Sequence, residues 1–218
     1  MSFFTTFLET TPHFENAVAQ KEQELKTTIV QSEERLILLV ELAYCYAHVQ
    51  LQKGVAVAEE AIALAGTLNN QGMKANALCA KAMNQFRIGY IAHAQATAKQ
   101  ALSIFENIND EEGKCDACFQ LGCMPYLSVG HSGDTPTHLD QALNKYKALG
   151  STNGVYLVRI QQTIQLFYVK RFEEGTREIK ALIEELSAPQ QRHLLCFANM
   201  QLSMVLKQLL VWIFPKKC

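Results

Sequence analysis

Gly72, Gly113 and Gly154 are spaced 41 residues apart, and a chain that repeats at a fixed spacing of this length has few folds open to it. Each glycine closes a polar stretch that reads as a turn (Leu68-Asn-Asn-Gln-Gly72, Ile108-Asn-Asp-Glu-Glu-Gly113 and Leu149-Gly-Ser-Thr-Asn-Gly154), and each precedes a helical pattern. Gly89 lies 17 residues after Gly72 and Gly130 lies 17 after Gly113, where a helix should turn back, and Arg171 holds that place in the next unit. Gly54, Ala94, Thr135 and Gly175 recur at intervals of 40, 41 and 40, each followed seven residues later by Ala61, Ala101, Ala142 or the bulkier Leu182. Two helices per unit are implied, with small residues on the stripe where the second approaches the first.

Within each unit the apolar residues recur every three or four positions, as one buried helix face requires: Leu36, Leu39, Val40, Ala43 and Ala47, then Val55, Ala58, Ile62 and Ala65. Thr135-Pro136 reads as an N-cap with Pro at the first helical position, so the second helix of the third unit starts late, and Thr11-Pro12 opens a leading cap helix in the same way. The chain is expected to be all-α, a right-handed α-α superhelix (solenoid) of four to five antiparallel helix pairs with a period of 40–41 residues. One domain spans 1–218: a cap helix over 1–30, repeats at 31–71, 72–112, 113–153 and 154–189, and a terminal helix and tail over 190–218.

Composition narrows the function. At 49% hydrophobic residues the chain is not disordered, and 20 Lys plus Arg against 21 Asp plus Glu leave a formal charge of −1, with no net positive field for phosphate backbones. Nucleic acid is therefore not an expected partner. The start through Glu9 lacks the basic and long apolar regions of a signal peptide. The apolar stretch from Leu202 to Phe214 includes Lys207 and falls short of the ~20 residues a spanning helix needs. An odd count of seven cysteines suits reduced thiols, and a cytoplasmic location is expected.

A period near 40, small residues at the two-helix crossing and the segment Ala101-Leu-Ser-Ile-Phe-Glu-Asn-Ile-Asn-Asp-Glu-Glu-Gly113 resemble the tetratricopeptide (TPR) class, in particular the long-repeat regulatory arrays of bacterial signalling proteins. Ala82, Gly89, Ala94, Ala98 and Ala101 match its small and turn positions, whereas Leu42 and Cys45 replace expected small and aromatic residues. The resemblance covers about residues 30 to 190. It implies a non-enzymatic scaffold or sensor module that binds a peptide or protein segment.

Binding in such stacks uses the concave surface lined by the first helix of every pair. A period of 41 projects Asn76, Ala117 and Val158 into one row, Cys79, Gln120 and Gln161 into the next, then Met83, Met124 and Gln165, and finally Phe86, Leu127 and Tyr168. Asn76, Met83, Phe86, Gln120, Met124, Gln161, Gln165 and Tyr168 are the candidate groove residues: amides to bond a peptide backbone, Met and aromatics to fill pockets. The same pattern equally allows superhelix twist to bury the Met and Phe residues between helices. Lys81 and Arg87 do not recur at equivalent positions, so no basic clamp for a terminal carboxylate is expected.

Cys115-Asp-Ala-Cys118, with Cys123, His131 and His138 beyond, supplies one close thiol pair where a zinc site usually needs two, so these thiols read as buried or incidental and no metal or cofactor is expected. No phosphate loop, dinucleotide turn or nucleophile elbow occurs, and paired acids such as Glu59-Glu60 read as solvated helix faces; the chain is not expected to be an enzyme. The alternative is a small-molecule sensor using the loop Gly130 to Gly133. Helix 190–214 lacks a partner for its apolar face, which suggests a homodimer, a fold-back onto the stack or a lost output domain.

Overall fold

Asn70, Asp110 and Ser151 fix where the helices of the repeat begin. Each accepts on its side chain the backbone N–H three residues on (Met73 at 3.0 Å, Gly113 at 3.0 Å and Gly154 at 3.3 Å), as Ser32 does for Arg35 at 3.1 Å. The helices that follow are α3 (Glu33–Val49), α5 (Gln71–Ile88), α7 (Glu111–Cys123) and α9 (Thr152–Tyr168); each folds back into α4 (Leu51–Thr67), α6 (Ile91–Asn107), α8 (Thr135–Ala148) or α10 (Phe172–Glu185). Two further helices precede them, α1 (Phe3–Thr10) and α2 (Phe14–Thr27). The computed structural model describes residues 3–11, 14–124 and 135–186 with Leu194, Ala198 and Asn199, and no strand occurs among them. The arrangement is an α-α solenoid.

The same terminus recurs at five turns. The N–H groups of Asn70, Tyr90, Asp110, Ser151 and Arg171 reach back five residues to the carbonyls of Ala65, Gln85, Phe105, Tyr146 and Leu166 at 2.8 to 2.9 Å, and the preceding residues Asn69, Gly89, Asn109, Gly150 and Lys170 have positive φ. This pairing of a 6→1 bond with a left-handed residue is the Schellman ending. Gly89 turns the chain as expected, but the residue that does so in the fourth unit is Lys170, one position before Arg171, at φ 64°. Gly130 lies outside the described residues.

Gly113 and Gly154 do not end their turns. They sit in the first turn of α7 and α9, because a ring from the preceding helix lies against each: a Cβ on Gly113 would come within 2.2 Å of Phe105, and one on Gly154 within 2.2 Å of Tyr146. Gly72 also lies inside its helix, with no such ring on it. The small-residue stripe is used as expected: Ala58, Ala61, Ala65, Ala94, Ala98, Ala101 and Ala142 are fully buried where second helices meet their neighbours. Gly54 lets α4 approach α5 so closely that Asn84, itself buried, occupies the space of a Cβ while its amide donates to the Ala43 and Ala80 carbonyls, both at 2.9 Å.

First helices differ from second helices in a way that periodicity does not anticipate. α4, α6 and α10 bury one stripe each, whereas α3 is buried without a break from Leu42 to Ala47, α5 from Ala75 to Ala80 and α7 from Cys115 to Gly122. A helix buried on every side has neighbours on every side. In α9 the buried residues are again interrupted by half-buried ones. On α3 the outer neighbour is α2, through Val18, the Lys21–Glu41 ion pair and the Tyr46–Glu22 hydrogen bond. The terminal segment 190–214 lies outside the described residues except for Leu194, Ala198 and Asn199, the first two buried in the main core.

Two predictions follow from this packing. Gly154→Ala should cost about 1–3 kcal/mol, because the ring it meets is held at its far end, whereas Gly66→Ala, with nothing within 4 Å, should be neutral or stabilising by up to ~1 kcal/mol; urea unfolding of both variants checks the contrast. His48 on α3 is held down to about 3 by burial and by Arg87 on α5, whose Nη1 lies 3.4 Å from Nδ1. Its unfolded form takes up the proton first, so the stability it lends is complete above about pH 6.5 and declines as pH falls toward 3. His48→Gln should flatten that limb of the stability–pH curve.

Candidate interaction groove

α1 lies against α3 and α7, the first helices of the first and third pairs. Phe4, Phe7 and Leu8 fall at i, i+3 and i+4, one side of a short helix, and are 1%, 2% and 3% exposed. Phe7 stacks on Tyr44 of α3 at 5.4 Å between ring centroids, Phe4 lies 5.1 Å from the same ring, and on its other side Phe4 stacks on Phe119 of α7 at 6.2 Å. Tyr44 Oη donates to the Asn76 carbonyl of α5 at 3.5 Å. One short helix thus bridges the first helices of the first and third pairs across that of the second.

Asp116 anchors this arrangement. It is 1% exposed on α7; Oδ2 accepts the Phe4 N–H at 3.4 Å in the first turn of α1, and Oδ1 accepts the Tyr146 hydroxyl of α8 at 2.5 Å. A carboxylate at a helix N-terminus meets unpaired N–H groups and the positive end of the dipole. Burial, then the Asp116 carboxylate and its hydrogen bond, hold the Tyr146 phenol well above its ordinary range. Burial, Cys79 and Asp116 do the same for Tyr44. The Gln120 amide faces the Tyr44 hydroxyl without reaching hydrogen-bond geometry, so both its polar atoms are buried without a partner among the described residues. Such a group costs about 1–3 kcal/mol.

The eight residues projected from the sequence fall into three sets. Asn76 and Gln120 are buried near the Tyr44 hydroxyl, which donates to the Asn76 carbonyl. Met124, 1% exposed, packs with Ala82, Ala94, Ala98 and Leu121 between helices, and Met83 and Phe86 are half-buried against the core clusters. Gln161, Gln165 and Tyr168 are half-buried on α9, with Gln165 Nε2 donating to the Gly122 carbonyl at 3.3 Å. Leu127 and the loop Gly130 to Gly133 lie outside the described residues. The projection missed Tyr44, Asp116 and Phe119. The caps Asn70 and Asp110 are 40 residues apart, not the 41 of the glycines, so the true row mate of Asn76 is Asp116 and that of Cys79 is Phe119.

The thiols around these residues are protonated. Burial raises Cys115 to about 12 and pushes Cys79 and Cys118 up as well, which disfavours the thiolate that a nucleophile needs. Among the described residues no group of three or more His, Cys, Asp or Glu side chains could hold a metal ion, and no helix is long and apolar enough to cross a membrane.

No protein-family model and no curated protein matches the chain. Among solved structures it is similar to a Podosopora anserina protein assigned as a kinesin light chain, with nearly identical TPR-like repeats: TM-score 0.53, 16% identity, 82% of this chain and 89% of that one covered. The fold is TPR-like. Two first helices of this TPR-like stack, α3 and α7, carry α1.

Tyr146→Phe deprives the buried Asp116 of its hydroxyl donor and should lower stability by about 1–3 kcal/mol. Phe105→Leu, which removes a ring of similar burial but no hydrogen bond, should not reproduce the change in pH dependence that goes with an altered carboxylate environment; unfolding curves at two pH values separate them.

Proposed function

We propose that this protein is a non-enzymatic interaction scaffold that recognises a protein segment on the concave face of its TPR-like stack. The observation that carries the reading is α1 itself: α3 and α7 bury the apolar side of a helix, and α7 supplies a carboxylate for its N-terminus. Such a surface is shaped for polypeptide. Beyond the part covered by α1, Gln161, Gln165 and Tyr168 continue the face along α9 with amides and an aromatic ring. The finer proposal is a regulatory input module of a signalling protein working in the cytoplasm, which the Ala101 to Gly113 repeat segment supports by its resemblance to such arrays. Self-association through the C-terminal helix 190–214 is a separate proposal that rests on sequence alone, as does the division into repeats at 31–71, 72–112, 113–153 and 154–189.

A second reading is a small-molecule sensor, favoured by a cleft of about 480 Å³ between α9 and α10 lined by Arg159, Gln162, Gln165, Arg171, Glu174 and Glu178 among others. Its volume suits a small ligand. Its two arginines, however, are already paired, Arg159 with both Glu185 oxygens at 2.6 and 2.9 Å and Arg171 with Glu174, which leaves little charge for an anionic metabolite.

Selection of binders from a displayed 16-residue peptide library against the full chain tests the scaffold. Selected peptides should lose about 10-fold or more in affinity, ~1.4 kcal/mol, with Gln161→Ala/Tyr168→Ala, and be indifferent to Lys99→Ala/Gln100→Ala on the outer side of α6. Equal sensitivity of both pairs, or stabilisation by metabolite extracts alone, would end this reading.

A further inference from the structure

α1 differs from every helix of the stack in how it is held. At eight residues it is shorter than an isolated helix needs to persist in water, so its helicity depends on the groove. Among the described residues it forms no pair with an adjacent helix in the manner of α3 with α4; its rings touch Tyr44 and Phe119, two pairs apart, and its first turn meets Asp116. The Gln120 amide, one turn along α7 from Asp116, is 3% exposed and has no hydrogen-bond partner among the described residues. A floor that carries both a carboxylate for a helix N-terminus and an unused amide has more recognition chemistry than α1 consumes.

We propose that α1 is a resident occupant of the groove, displaced when a protein partner presents a short helix of the same chemistry: aromatic side chains at i and i+3, leucine at i+4, an open N-terminal turn for Asp116, and a polar side chain that pairs with Gln120. This rests on the scaffold reading and adds to it the class of partner and its regulation. The apparent affinity of the groove for such a helix is its intrinsic affinity reduced by the fraction of molecules with α1 out of place. α1 is joined to α2 through a short connection at residues 11–13, so in the resting chain its effective concentration at the groove is high.

The test uses the full chain and, as probe, a fluorescent peptide of residues 1–13. Wild-type protein should bind the probe weakly. Phe4→Ala/Phe7→Ala, which loosens α1 but leaves the floor intact, should bind it about 10-fold or more tightly than wild type, and adding Tyr44→Ala or Asp116→Asn to that variant should remove the gain. A folded Phe4→Ala/Phe7→Ala protein with no gain overturns the proposal. If that variant does not fold, hydrogen exchange on the wild-type chain decides: α1 amides should exchange well ahead of those of α3, α5 and α7, and exchange of α1 only together with the stack overturns it. A wild-type dimer that grows with concentration and is lost in Phe4→Ala/Phe7→Ala would place a second copy's α1 in the groove and overturn it too. If the probe fails while peptides from the library bind through Gln161 and Tyr168, the scaffold reading stands and this inference falls; if neither binds, both fall.

Discussion

Phe105 against Gly113 and Tyr146 against Gly154 bring the end of one helix pair and the start of the next into contact at a separation that no other residue than glycine permits. In a solenoid each pair touches only its neighbours, so the geometry of that junction propagates to the whole. It sets how far α5, α7 and α9 stand apart, and hence the width of the inner face. The Schellman endings just before these glycines hold the chain direction so that the ring arrives in register. Phe167 against Gly175 repeats the device at the turn inside the fourth pair, with a Cβ distance of 2.9 Å.

Asp116 connects that junction to the groove. Tyr146 packs its ring on Gly154 and gives its hydroxyl to Asp116, and Asp116 in turn faces the first turn of α1. A buried carboxylate is tolerated only where donors surround it, and stripping one of them leaves an under-compensated charge in an apolar setting. The third pair, the fourth pair and α1 therefore share one electrostatic constraint. The Cys79 and Cys115 thiols beside it are pushed up for the same reasons, burial first and the carboxylate second.

Much of the fold was legible because it is written in short-range chemistry. Caps, left-handed turn residues and the alanine stripe act within a few residues of themselves, and Gly89, Ala94 and Ala101 carry their role on their face. The groove was less legible for two physical reasons. Glycines are placed by the ring that lies on them, so Gly72 and Gly113 occupy different positions in their helices and mislead by one residue about the register; the caps Asn70 and Asp110 give the correct row and with it Asp116. The other reason is range. Phe4 and Phe7 meet Tyr44 and Phe119 from across the chain, and the Phe-Phe-x-x-Phe-Leu pattern at the start, although helical in spacing, says nothing of where such a helix will dock. Gln120, read as an amide open to a peptide backbone, is buried at 3% exposure.

An array that touches only along its length behaves as a spring, its pitch fixed by the sum of small rotations between successive units. α1 spans from the first unit to the third and so acts as a clasp across two junctions of that spring. On the proposal that its occupant is exchanged, the exchange would alter the local curvature and be felt at the far end as a change of pitch, without any rearrangement inside the units themselves.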